Sequence, residues 1–172
     1  DFIEHVDDAT FADDAKKQLK GEAYFLRAYF LHRLTRGFGG VPIQLKVTQL
    51  TDDPESFLLS RSSYTDCIGQ VLDDIDKAAE CLKDHTFDNT QKGRATLAAV
   101  KALKVRVLTD AASDLHDQAT ASAKSSLLAS YKNPELLFYT QGSRTERWQA
   151  VKVAAKDLLD NPMGHAIPTY GG

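Results

Sequence analysis

Acidic residues are the first place to look for chemistry, because 24 of the 172 residues are Asp or Glu. Asp73, Asp74 and Asp76 crowd together, and so do Asp110, Asp114, His116 and Asp117. A calcium loop needs a glycine at its turn and a distal bidentate glutamate. The first cluster has neither, so its carboxylates read as a mostly solvated helix face. The second sits near a helix end, where a solvated terminus accounts for the charges better than a bound cation. The five histidines, at 5, 32, 85, 116 and 165, lack metal-ligand spacing. Phosphate-binding glycine loops, the nucleophile elbow and the H-E-x-x-H zinc helix are all missing. Nothing singles out a carboxylate pair for glycoside hydrolysis. No catalytic residue, metal or cofactor is expected.

Aromatic side chains offer the other kind of chemistry. An exposed ring presents a flat apolar face to a sugar, while polar neighbours bind its hydroxyls. Trp148, at the first turn of an amphipathic helix, reads as core. Phe138 and Tyr139 are the better ligand-binding candidates, since they fall in a loop or strand beside Gln141. Lys101, Lys104 and Arg106 share one helix, and Arg106 reads as a buried or half-buried partner of an acid. No segment interleaves basic residues with aromatics. With a net charge of −3 there is no electrostatic footprint for nucleic acid.

The composition is that of a soluble globular chain, with 42% hydrophobic and 26% charged residues. The longest stretch free of charge, the irregular tail from Asn161, is too short and too polar to span a bilayer. Ten glycines and five prolines are too few for a turn-rich all-β fold. Cys67 and Cys81 fall on one expected helix about 21 Å apart, at ~1.5 Å per residue. That is far beyond the roughly 4.4–6.8 Å that a disulfide spans, so both read as small buried hydrophobes. The segment from Asp1 to His5 has no basic and apolar leader pattern.

Helical periodicity places elements at about 1–7, 12–36, 63–82, 94–114 and 145–160. Thr10 with Asp13 resembles a capping box at the start of the long helix, and Gly37 stands where its left-handed cap is expected. That helix carries two apolar stripes: Ala23, Leu26, Phe30 and Leu34, then Tyr24, Ala28 and Leu31. A helix apolar on two faces is buried on both. Gly39-Gly40-Val41-Pro42 and Asp52-Asp53-Pro54 break the connector that follows. Residues 63–82 carry one stripe through Ile68, Val71, Ile75 and Leu82. Residues 94–114 oppose alanines at 95, 98, 99 and 102 to larger Leu97, Val100, Leu103 and Val107, which suits a central helix. Residues 119–131 read as a weak helix ended by Asn133-Pro134. Ser143-x-x-Glu146 is a full capping box for the last helix. Helices needing partners on both faces, and a start inside an apolar turn, point to a piece of a larger helical protein.

Four ordered blocks carry a family resemblance. Glu22-Ala-Tyr-Phe-Leu-Arg-Ala28, running into Gly37-Phe-Gly-Gly-Val-Pro42, resembles the hallmark helix and turn of the SusD/RagB family. Arg61-Ser-Ser-Tyr, leading to Asp73-Asp-Ile-Asp-Lys-Ala-Ala79, is similar to the block that follows it. Gly93-Arg-Ala-Thr96 through Arg106 is similar to the third, and Trp148-Gln-Ala through Leu159 to the last. The fold implied is all-α, a right-handed solenoid of stacked tetratricopeptide-like helix pairs with irregular loops. Residues 1–172 would be a partial SusD-like domain from the N-terminal to central part. The function implied is a surface-exposed outer-membrane lipoprotein of Bacteroidetes-type bacteria, anchored by an N-terminal lipid not present in this chain. It would capture oligosaccharide, or peptide, and act without catalysis as the lid of a TonB-dependent SusC-like barrel. Glu22, Arg27 and Arg106 would be buried framework charges, and Gly39, Gly40 and Pro42 would shape the helix exit. The residues alone also allow a cytoplasmic helical-repeat scaffold. A helical glycosidase fragment would need two carboxylates at roughly 5–5.5 Å, or about 6.5–9.5 Å if inverting.

Overall fold

Helices follow one another throughout the computed structural model, which describes residues 2–49, 52–87, 89–161 and 163, and no strand occurs among them. α1 is Phe2–His5, α2 Asp13–Phe38, α3 Tyr64–Leu82 and α4 Leu97–Ala112. Two short helices, α5 (Gln118–Lys124) and α6 (Ser126–Ala129), precede α7 (Arg144–Asp160). α3 packs on α2 and on α4, and α4 packs in turn on α7. The all-α class and the stacking of helix pairs are therefore as expected. Apart from Asn161 and Met163, the tail lies outside the described residues.

The ends of α2 differ from the sequence reading. Its N-cap is Ala12, with no side-chain hydrogen bond, so Thr10 and Asp13 form no capping box. Asp13 and Asp14 in the first turn instead meet the positive end of the helix dipole. At the other end, Gly37 is still helical and Gly39 takes the positive φ of 72°. The reason is close packing. A Cβ on Gly39 would stand 2.2 Å from the Leu136 carbonyl oxygen, and one on Gly40 would stand 2.0 Å from that of Ser62. Gly40 donates its N–H to Leu136 O at 2.7 Å, which fixes the turn against the later loop. Gly21 serves the middle of α2. There a Cβ would lie 2.7 Å from the Cβ of Cys81, so α2 and α3 approach almost backbone to backbone.

α3 and α4 start on side-chain caps, Ser63 accepting from Asp66 N–H and Thr96 from Ala99 N–H. The α3 stripe is buried as its spacing requires, with Ile68, Val71, Ile75, Ala78 and Leu82 meeting Val100, Leu103 and Val107 of α4. Cys67 belongs to this core, its thiol pushed up by burial, whereas Cys81 is only half-buried. Ala102 of the α4 alanine face is exposed.

Charges tie the same helices together. Arg27 of α2 forks onto Asp74 of α3 through two bonds of 2.7 Å. Glu22 accepts two bonds from Arg94, at 2.8 and 2.9 Å, and Arg94 stands ahead of α4, which starts at Leu97 behind its Thr96 cap. Two sequence expectations are corrected here. Asp74 is fully buried, not solvated, because it stands opposite Arg27. Arg106 is exposed, not a buried framework charge, because Leu103 and Val107 take the core-facing side of α4 and leave Arg106 off it.

Candidate functional site

Residues 113–143 form a strap across the ends of α3, α4 and α7. Its fixed point is His116, whose ring stacks on Tyr64 with centroids 4.1 Å apart and whose Nδ1 lies 2.7 Å from the Leu137 carbonyl. Tyr139 N–H returns a bond of 2.9 Å to His116 O. These contacts turn the two loop aromatics in opposite directions. Phe138 is 1% exposed and fills the core, so its ring offers no face to a ligand. Tyr139 is half-buried, stands edge-on to Tyr64, and lines a concavity of about 330 Å³ with Leu108, Gln141, Glu146 and Arg147.

Arg147, which no sequence pattern singled out, organises this concavity. Its guanidinium donates to Tyr139 O and to Asp117 Oδ2, each at 2.9 Å, and lies 6.0 Å from the Tyr139 ring centre. Asp117 also caps α5 through Thr120, and that hydrogen bonding, helped by Arg147, holds its carboxyl below the usual range. Burial pushes the Tyr139 phenol up. Glu146 is occupied as well, accepting from the backbone N–H and hydroxyl of Ser143 in the expected capping box. It is the one carboxylate in the described lining, so no acid pair faces this space. The concavity holds a half-exposed ring, an amide and a guanidinium, which suits hydrogen bonding to hydroxyl groups.

Trp148 is 41% exposed, not core as its position suggested, because α7 turns only its Val151, Ala154, Ala155 and Leu158 side inward. It lines a shallow depression with Arg144, Thr145, Gln149 and Lys152. The acidic cluster read as a solvated helix end is instead drawn into separate partnerships: Asp110 with His32 and Arg36, Asp114 with Lys124 and Arg144, and buried Asp117 with Arg147. No group of metal-ligating side chains occurs among the described residues. A third and larger concavity, about 850 Å³ and mainly apolar, runs beside the N-terminal half of α2.

Residues 2–108, well over half of the chain, match the model of the SusD-like family described as starch-binding and associating with the outer membrane. The chain belongs to the SusD-like family. A SusD-like protein from Bacteroides fragilis is 32% identical over 75% of this chain and 24% of its own, with a TM-score of 0.58. A laminarin-binding SusD-like protein shares the fold at 21% identity, over 70% of this chain and 24% of that one, with a TM-score of 0.57. A structure solved with a xylogluco-oligosaccharide does so at 20% identity, over 96% and 27%, with a TM-score of 0.66. The SusD-like chain described here thus spans about a quarter of the length of these solved relatives. No curated protein matches it in sequence. No described helix is long and apolar enough to cross a membrane.

Proposed function

We propose that this SusD-like chain is part of a surface glycan-binding protein that captures oligosaccharide at the outer membrane and delivers it, as a lid, to a TonB-dependent SusC-like barrel. The observation that carries the reading is the family match over residues 2–108, whose description is starch-binding. The laminarin-binding relative and the relative solved with a xylogluco-oligosaccharide support a glycan over a peptide. The protein binds and does not catalyse. Membrane attachment is through an N-terminal lipid, and lid opening is a two-state shift that ligand and barrel both bias.

Within residues 1–172 the sugar-facing groups are Tyr139 with Gln141, and Trp148 with Gln149. Each ring gives a modest contact, so capture depends on several acting together and on high local concentration at the pore.

The test is to extract the native protein from the membrane fraction in detergent, measure its intact mass, and titrate it calorimetrically with β-glucan oligosaccharides and with a peptide mixture. Acyl-bearing mass, a co-purifying barrel and heat with glycan alone are expected. An unlipidated soluble protein that binds neither sugar nor barrel would instead establish a helical scaffold. Release of reducing sugar would establish a hydrolase.

A further inference from the structure

We infer that the outer face of the first turns of α7 is a subsite for an acidic sugar, one that carries a uronate carboxylate or a sulfate ester. The inference rests on the glycan reading above and adds the charge of the glycan. Arg144, Trp148 and Lys152 stand four residues apart on α7. Their side chains therefore rise in one row along the helix, roughly 5–6 Å from each to the next. With Thr145 and Gln149 they line a shallow depression of about 450 Å³.

This row differs from the rest of α7 in how little of it is engaged. Arg147 meets Asp117, and Lys156 meets Asp160. Lys152 meets no carboxylate among the described residues. Arg144 shares Asp114 with Lys124, so two cations divide one carboxylate. Arg144 also opens the helix, where the positive end of the dipole opposes a cation. The Thr145 hydroxyl and the Gln149 amide make no hydrogen bond among the described residues. The Trp148 ring is exposed, and no described ring or cation stacks on it.

The chemistry follows from these groups. An indole face takes the apolar side of a sugar ring, and a hydroxyl and an amide beside it take the sugar hydroxyls. A cation one turn away on either side then meets whatever charge the sugar bears. Charge-assisted hydrogen bonds are roughly twice as strong as neutral ones, so an acidic sugar is favoured here over a neutral one. The Tyr139 concavity has the opposite character. Glu146 lines it, and its Arg147 is already held by Asp117 and the Tyr139 carbonyl. The net charge of the chain is −3, so the positive row is a local feature and not part of a generally basic surface.

The test uses the native polypeptide in detergent with its Lys152→Gln, Lys152→Arg and Lys156→Gln variants. Calorimetry measures each against a galacturonate oligomer, its carboxyl-reduced neutral form, a sulfated galactan oligomer and a β-glucan oligosaccharide. The expected result is binding of at least one acidic probe roughly fivefold tighter than of its neutral counterpart, a gap that closes in about 1 M salt. Lys152→Gln should remove most of that preference and Lys152→Arg should keep it. Lys156→Gln, outside the depression, should leave it in place. Preference for the galacturonate alone assigns a uronate, and preference for the galactan alone a sulfate ester. Binding of β-glucan with no preference for either acidic probe would overturn the inference and leave the glycan reading standing. So would a preference that survives Lys152→Gln, which places the site elsewhere, or one that falls equally with Lys156→Gln, which reports a diffuse field. Binding of no sugar at all would overturn both. Lys152-dependent binding to anionic phospholipid vesicles in place of sugar would assign the row to the membrane surface.

Discussion

Arg27 and Asp74 join α2 to α3 through a two-pronged contact whose carboxylate is fully buried and whose guanidinium keeps one edge wet. The asymmetry matters. Water can rescue a stranded Arg27 but not a stranded Asp74. Breaking a buried pair from one side costs about 3–5 kcal/mol, while replacing both partners by apolar side chains of similar volume is often neutral. Arg27→Ala is therefore expected to cost more than Asp74→Ala, and the double change Arg27→Met with Asp74→Leu less than either. Urea midpoints of the three variants check this. Equal and small losses in both single variants would remove the framework role.

Glycine substitutions separate close packing from helix propensity. Gly40→Ala places a methyl 2.0 Å from a backbone oxygen and is expected to lose the turn that holds α2 to α3. Gly37→Ala meets nothing within 4 Å and sits in helical conformation, so it should gain stability, by up to about 1 kcal/mol. Thermal melts of the two variants moving in the same direction would contradict the packing account.

Stability should also depend on pH through two histidines. Burial pushes both His32 and His116 below the ordinary value of 6.5. For His32 the Asp110 carboxylate opposes that shift, with oxygen and nitrogen 3.0 Å apart, while Arg36 and Arg106 reinforce it. Burial is the largest of these influences and prevails. For His116, the Leu137 carbonyl and Asp110 oppose burial without overcoming it. The unfolded chain then binds protons that the native one refuses, so stability is complete above about pH 6.5 and declines as the pH falls beneath it. Melting temperatures between about pH 7.5 and about pH 5 should show this slope, and His32→Gln or His116→Gln should flatten it. A slope untouched by both substitutions would place the proton uptake elsewhere.

Trp148→Ala tests the sugar-facing role with little risk to the fold, because the ring is 41% exposed. Loss of one aromatic contact of about 1 kcal/mol is expected to weaken oligosaccharide binding roughly fivefold, with the melting temperature nearly unchanged. Calorimetry and a thermal scan on the same sample decide it. Undiminished binding would leave Tyr139 and Gln141 as the candidates within these residues.

What was legible in the sequence was whatever is decided locally. The α3 stripe and the Ser143–Glu146 capping box depend on residues three or four apart, and each formed where its spacing placed it. What was not legible depended on who stands opposite. Asp74 looks like its neighbours Asp73 and Asp76 until Arg27, on another helix, is brought to it. Gly39 rather than Gly37 ends α2 because of a carbonyl nearly a hundred residues later. Phe138 and Tyr139 were indistinguishable as a pair, and only the bond from Tyr139 N–H to His116 O shows which of them is turned into the core. Arg147 had no local signature at all.

The connector from Val41 to Arg61 is stapled shut at its base. Arg61 donates to the carbonyls of Gly40 and Phe38, and Ser62 N–H donates to Val41 O. The staples hold the two ends of the connector together, while Leu45 and Val47 between them still line the concavity beside α2. Lengthening such a loop costs only about 0.6 kcal/mol for each doubling. An insertion into the exposed part of this connector is therefore expected to leave α2 and α3 in registration, because the staples at its base carry the closure.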